Sequence, residues 1–208
     1  HPDLQPRVVI HDANLTRPTP ASLWLSTGMR AMDHALEAIW SMRPQPMSTA
    51  CALEAIRLLR AHLAPSRDPA ALDARTACFD AAWLSISGML SSGVRLSHPI
   101  GHQIGAFWNV PHGVTSCIAL PTVMRHLLPR TREAQTRIAE ALGVALAEEA
   151  ADAIEKMIAS LGLPGRLRDA GSRREDLPAV EKAIAEELTA MGQLEDIASL
   201  RILLERMW

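Results

Sequence analysis

Three histidines have the spacing of a single site. His98 and His102 stand four residues apart in Ser97-His98-Pro99-Ile100-Gly101-His102, and His112 follows in Val110-Pro111-His112-Gly113. On a helix an i, i+4 pair shares one face. The aromatic and glycine stretch before His112 can turn the chain back toward that face. Such a cluster can ligate a metal, shuttle protons or grip an anion. Histidines on a helix surface, or hydrogen-bonded within a core, can show the same spacing. The H-x3-H pair alone is a weak motif; the third histidine makes it unusual. A second group lies upstream, in Gly28-Met29-Arg30-Ala31-Met32-Asp33-His34. Arg30 and His34 share a helix face, and Asp33 is i+3 from Arg30. Read locally, Arg30 and Asp33 form a surface ion pair worth less than about 1 kcal/mol.

Both groups fall on segments with helical periodicity. Leu23, Met29, Met32, Leu36 and Ile39 recur at helical spacing to about Trp40, where Arg43-Pro44-Gln45-Pro46 ends the run. A second helix is expected from Ser48 to His62, and a third from beyond Asp68-Pro69 to Ser91. The third is apolar on several faces and reads as the central, buried helix. Ser97 to Phe107 reads as a short helix, and His112 to His126 as another, interrupted near Pro121. Thr131 to Leu142, Glu148 to Leu161 and Asp176 to Met191 follow, then an amphipathic tail from Leu194 to Arg206. The one segment with strand character is Arg7-Val8-Val9-Ile10-His11-Asp12, and a lone strand cannot satisfy its own backbone groups.

Composition supports a single helical domain. The chain has 208 residues, 48 % hydrophobic and 3 % aromatic, with no tyrosine and few β-branched residues, a balance that favours helices over sheets. Its net charge of −2 argues against a general nucleic-acid or membrane-surface binder. No apolar run approaches the roughly 18 residues needed to span a bilayer. Cys51, Cys78 and Cys117 form neither a CxxC pair nor a disulfide framework, which fits a cytoplasmic setting. No signal peptide is expected at the His1-Pro2-Asp3-Leu4 start.

Taken together, the two histidine stretches resemble a known family. Gly28-Met29-Arg30-Ala31-Met32-Asp33-His34-Ala35-Leu36-Glu37 resembles the G-x-D-A-x-x-H-A-x-E helix of the iron-containing (group III) alcohol dehydrogenases. Leu96 to Gly105, continuing through Val110-Pro111-His112-Gly113-Val114 and Leu120-Pro121, is similar to their H-x3-H-x9-H signature. The Val8–Asp12 stretch with Leu15 and Pro20 resembles the family's interdomain strand and loop, and Leu161–Pro164 with Arg166–Asp169 a later segment. The details look most like the maleylacetate reductase branch.

The resemblance implies an all-α, multi-helix C-terminal domain of the dehydroquinate synthase-like/iron-containing alcohol dehydrogenase fold, with one short N-terminal strand. Residues 1–19 would be the interdomain strand and loop, and residues 20–208 the helical metal- or substrate-site domain. The family's N-terminal Rossmann-like domain, which binds NAD(P)H, is expected to be absent from this chain, since no glycine-rich phosphate-binding turn follows a strand. A fragment of this kind is expected to be inactive by itself.

The resemblance also implies roles. His34, His98 and His112 match the three histidine ligands of a divalent ion, Fe or Zn. His102 matches a non-ligand histidine beside the nicotinamide and could relay a proton. The family's Asp ligand position holds Arg30, whose guanidinium opposes a dication, so metal binding is expected to be weak or absent. Arg30 suits a carboxylate. The resulting expectation is a reductase of a small anionic, maleylacetate-like substrate, with Arg30, His34, His98 and His112 on the substrate and His102 catalytic. The family also suggests a homodimer. Trp108 and Asn109 would line or cover the pocket or, equally, serve only in packing, and Thr189–Gln193 replaces an Asn-Pro-Arg segment common in relatives. A metal-dependent alcohol dehydrogenase and a non-catalytic interaction domain are the alternatives.

Overall fold

The computed structural model describes residues 8–92 and 95–208, with 88–92 described by their backbone alone. Eight α-helices follow one another: α1 (Ala21–Ile39), α2 (Pro46–His62), α3 (Leu72–Ser92), α4 (Ser97–Trp108), α5 (His112–Leu142), α6 (Ala147–Ser160), α7 (Leu177–Ala190) and α8 (Leu200–Met207). Local signals account for several of their ends. Pro46 opens α2 with its φ already set for a helix, and Arg60 and His62 close it near the negative end of its dipole. Asn109 stops α4 in the left-handed conformation at φ 53°, and Gly143 stops α5 at φ 72°. Glu149 reaches back to the backbone N–H groups of Ala145 and Leu146 at 3.0 Å, fixing the start of α6.

α1 and α5 form the centre. α1 packs on α2, α3 and α5, and α5 packs also on α4, α6 and α8. Of the apolar face read from the sequence of α1, Met29, Met32, Leu36 and Ile39 are buried and meet Ile56, Leu59, Ile118 and Met124 in the core, whereas Leu23 is about half exposed and Leu25 takes its place inside. The expectation that α3 is the central helix is corrected. α3 lies against α1 and α2 at the side of the bundle and leaves Trp83 nearly half exposed.

α5 also corrects the sequence reading, because it does not break at Pro121. Both Pro121 and Pro129 lie inside one long helix, whose single departure from helical geometry is at Thr131. Each proline removes one ladder donor. Side chains add hydrogen bonds around the kink: Gln135 Nε2 donates to the Met124 carbonyl at 2.8 Å, and Thr131 Oγ1 to the Leu127 carbonyl at 2.9 Å. The amphipathic tail likewise divides into a 3-10 turn, Leu194–Ser199, and α8.

The expected N-terminal strand is absent among the described residues. Residues 8–12 have no regular structure, and Val8 and Ile10 are exposed (Arg7 lies outside the described residues). No second strand exists among the described residues to complete a ladder, so strand propensity has nothing to act on. The segment becomes ordered one step later. Ala13–Thr16 forms a 3-10 turn held by fully buried Arg75, whose Nη1 donates to Thr16 O at 2.7 Å and whose Nε donates to Ser66 O at 3.1 Å. The Arg75 guanidinium lies 4.5 Å over the Trp24 ring.

α1 and α5 come into close backbone contact at Gly113. A Cβ there would lie 2.4 Å from the backbone carbonyl of Ser26. Gly113→Ala should therefore cost about 1–3 kcal/mol in the denaturant midpoint, as the two helices are forced apart. Gly165→Ala, where a Cβ meets nothing within 4 Å, should change stability by less than about 0.5 kcal/mol.

Candidate functional site

α1 presents Arg30, Asp33, His34 and Glu37 at i, i+3, i+4 and i+7, all on the side facing the starts of α4 and α5. α4 contributes Ser97, His98, Gly101 and His102, and α5 contributes His112 and Ser116. Two glycines allow this gathering. A Cβ on Gly101 would lie 3.0 Å from Thr115 Oγ1 and 3.8 Å from Arg30 Nη1; one on Gly105 would lie 3.5 Å from the His112 ring. The Asn109–Pro111 turn between them brings His112 back beside α4. The four histidines then form a row: His34 stacks on His98 with centroids 5.2 Å apart, and His102 lies edge-on to His98 at 6.1 Å and to His112 at 6.0 Å.

Beneath the row is a buried polar network that local sequence reasoning did not anticipate. Asp33, expected at the surface, is fully buried. Its Oδ1 accepts from Ser97 Oγ at 2.6 Å, and its Oδ2 from Ser116 Oγ at 2.7 Å and Arg30 Nη1 at 3.1 Å. Ser97 Oγ is also 2.6 Å from Glu37 Oε1, and Glu37 accepts from the backbone N–H groups of Arg95 and Ser97. The Ser97 hydroxyl carries one proton but bridges two carboxyl groups, so one carboxyl must be protonated for both contacts to be hydrogen bonds. Electrostatics assigns that proton to Glu37. Burial, and then the neighbouring Asp33 charge, push Glu37 up to about 7. Burial pushes Asp33 up as well, but the charge that His98 carries when protonated, the permanent Arg30 charge and the two serine hydrogen bonds outweigh it and hold it below its usual value.

Three of the imidazoles, His34, His98 and His112, are held toward the neutral form. Burial depresses His34, His98 and His112, with the Arg30 charge contributing at all three; His98 falls to about 4. His98 Nδ1 lies 3.5 Å from Ser97 Oγ, and its buried Nε2 has no hydrogen-bond partner. The fixed positive charge among them is therefore Arg30. Its Nη1 is engaged by Asp33 and Ser116, the latter at 3.1 Å. The rest of its fork has no hydrogen bond and borders a pocket of about 370 Å³, lined also by His34, His112, Leu23, Ala31 and Pro111.

His102 is about half exposed and is oriented from a distant element. Its Nδ1 lies 2.8 Å from Glu187 Oε1 on α7, and Glu187 Oε2 accepts from Gln103 Nε2 at 2.7 Å. A carboxylate can only accept here, so Nδ1 carries the hydrogen and Nε2 is left as the exchangeable atom. Glu187 lies 85 residues from His102, and nothing in the local sequence marked it. Of the two roles open to Trp108, the structure shows packing: it lies against the core and donates to Asp176 Oδ2 at 2.9 Å.

Among the described residues, one group of three or more ligating side chains has its donor atoms mutually within 4.8 Å: Asp33, Glu37 and His98. His34, His98 and His112, the expected ligands, do not bring three nitrogens that close together.

Comparison with known proteins places this arrangement. A profile of the Fe-containing alcohol dehydrogenase family, C-terminal, matches residues 24–202. The chain is 32 % identical to the lactaldehyde reductase of Escherichia coli (strain K12), over 94 % of this chain and 54 % of the relative. It is 34 % identical to the maleylacetate reductase of Burkholderia cepacia, over 96 % of this chain and 56 % of the relative. The crystal structure of maleylacetate reductase from Rhizobium sp. strain MTP-10005 superposes with a TM-score of 0.88 at 27 % identity, covering all of this chain and 59 % of that one. The chain thus spans a little over half the length of the relatives it matches. No described helix is long and apolar enough to cross a membrane.

The shared proton has a consequence for stability. Glu37 holds its proton to about pH 7 when folded, whereas an ordinary glutamate releases it near 4.5. Between these limits the native state binds more protons than the unfolded state, so this group's contribution to stability falls as pH rises through the window. Urea denaturation of Glu37→Gln in metal-free buffer should show a shallower decline from about pH 5 to about 7 than the parent chain shows. Parallel curves would contradict the assignment.

Proposed function

Because this chain belongs to the Fe-containing alcohol dehydrogenase family, we propose that it is the substrate-side, helical half of an NAD(P)H-dependent oxidoreductase acting on a small dicarboxylate, as maleylacetate reductase does. The observation that carries this reading is the half-used guanidinium of Arg30, facing a pocket between His34 and His112. A planar fork with free donors suits a carboxylate group. The neutral imidazoles of His34, His98 and His112 can each add a hydrogen bond without adding charge. Maleylacetate reductases are among the relatives in both sequence and structure, which supports the choice of substrate class. His102, with Nδ1 engaged by Glu187, is the proton relay at its free Nε2. The nicotinamide cofactor would be held mainly by a Rossmann-like partner domain. We further propose that the assembled enzyme is a homodimer in the cytoplasm.

Family relatives described as Fe-containing raise the question of a metal. A divalent ion does not fit the residues present. The Arg30 charge already acts on His34, His98 and His112, and it cannot be neutralised by proton loss. The one compact cluster, Asp33, Glu37 and His98, favours the metal-dependent alternative by composition. Its carboxylate oxygens, however, are already occupied by Ser97, Ser116, Arg30 and backbone donors. We therefore assign charge recognition at this site to Arg30.

In the complete enzyme, Arg30→Ala should lower kcat/KM for maleylacetate with NAD(P)H by about tenfold to a hundredfold, the worth of a hydrogen bond to a charged group. An unchanged kcat/KM would overturn the proposal. Arg30→Asp should instead raise zinc affinity, measured by calorimetric titration of the chain, while reducing dicarboxylate turnover. One tightly bound Fe or Zn per parent chain would favour the metal-dependent alternative.

A further inference from the structure

A second pocket, which shares no lining residue with the one beside Arg30, lies between α5, the later half of α6, the loop that follows and α8. Its volume is about 370 Å³. Ile118 and Pro121 on α5, Ile158 and Ala159 on α6, and Leu163 in the loop give it an apolar wall. One hydroxyl, that of Thr122 on α5, stands against this wall. Among the described residues, four threonines are buried: Thr49, Thr115, Thr122 and Thr131. Three of them give their hydroxyls to carbonyls three or four residues back, those of Gln45, His112 and Leu127, as threonines within helices commonly do. Thr122 makes no such bond among the described residues, and its Oγ1 is not sealed from solvent, so it is open to the pocket it lines.

The charges at the rim say what the hydroxyl would meet. Arg125, Arg166 and Arg206 border the pocket, with Glu155 and Asp169. Arg125 is engaged by Asp152 and Glu155. The exposed side chains of Arg166 and Arg206 have no ion pair or hydrogen bond among the described residues, and neither has that of Asp169. Two uncommitted cations therefore face one uncommitted anion, and the balance favours a negatively charged guest. A guanidinium presents its donors in the plane that a carboxylate accepts. A pocket of this size, with an apolar wall and few polar groups, suits a small molecule that has an apolar body.

We propose that this pocket binds a small carboxylate with an aromatic or branched apolar body. The carboxylate accepts from Thr122 Oγ1 and is drawn to Arg166 and Arg206, and the body covers the apolar wall at Leu163 and Ala159. This site is separate from Arg30 and does not depend on the reading of the histidine row.

The test follows the Gly165 amide signal of the ¹⁵N-labelled chain, since Gly165 lines the pocket; it is the peak missing from Gly165→Ala. Sodium benzoate, sodium acetate and benzyl alcohol are titrated separately, with sodium chloride holding the ionic strength constant. Benzoate should shift the peak saturably. It should bind about tenfold or more tightly than acetate, which lacks the body, and than benzyl alcohol, which lacks the charge. Arg166→Glu combined with Arg206→Glu, both exposed and checked for folding by circular dichroism, should weaken benzoate about tenfold or more. Thr122→Val should weaken it about threefold or more. Because the Thr122 hydroxyl has no partner within the described chain, Thr122→Val should keep the parent's urea midpoint, which separates lost binding from lost structure. No saturable shift with benzoate, equal binding of acetate or benzyl alcohol, or full benzoate affinity in the double arginine variant or in Thr122→Val would overturn the proposal.

Discussion

A carboxylate kept from water at the meeting point of three helices is the constraint around which this domain is organised. Asp33 sits on α1, accepts from Ser97 at the start of α4 and from Ser116 on α5, and is balanced by Arg30 one turn earlier on its own helix. A buried charge is tolerated only when its lone pairs are met. Moving α5 by one residue would offer Thr115 or Cys117 in place of Ser116, and moving α4 would withdraw the hydroxyl shared with Glu37. The network therefore specifies register more than it adds net stability, the better-attested use of buried ionic groups. His98, His102 and His112 inherit their positions from that register.

The chain's helices were legible because their apolar residues recur at helical spacing and end at prolines, glycines and Asn109. The gathering of His34, His98, His102 and His112 was legible through the family resemblance carried by two short motifs. The surroundings of those residues were not. An i, i+3 pair such as Arg30 and Asp33 looks the same on a solvated helix and on a buried one, and only the arrival of α4 and α5 distinguishes the two. Glu187 carries no local signal, because its relation to His102 exists only once α7 folds against α4. The strand-like stretch Val8–Ile10 shows the converse: its propensity forms no ladder because no second strand exists among the described residues, the partner it needs having been expected in another domain. Pro121 misled because the buried surroundings of α5 outweighed a local helix breaker.

Polar groups are distributed with a clear division of labour. Carboxyl groups and hydroxyls lie beneath, fully buried and mutually satisfied. The imidazoles lie above them and are only partly satisfied, those of His34, His98 and His112 biased to the neutral form, and the pocket opens beside them. One continuous chain of hydrogen bonds runs from the Arg95 backbone through Glu37, Ser97 and Asp33 to Arg30.

Arg30 also has a consequence for supply. An inorganic cation exchanges with its surroundings, so its occupancy varies with concentration, and a competing ion of the wrong kind can take its place. A guanidinium joined to α1 by its own side chain has no dissociation constant: it is present in every molecule from the moment of synthesis and is untouched by chelators or scarcity. What it gives up is directional freedom. A spherical ion accepts ligands from any side, whereas a planar fork anchored at one corner by Asp33 and Ser116 offers donors in a single plane. Permanence is thus gained at the expense of ligand range, which narrows to flat oxyanions that can arrive edge-on.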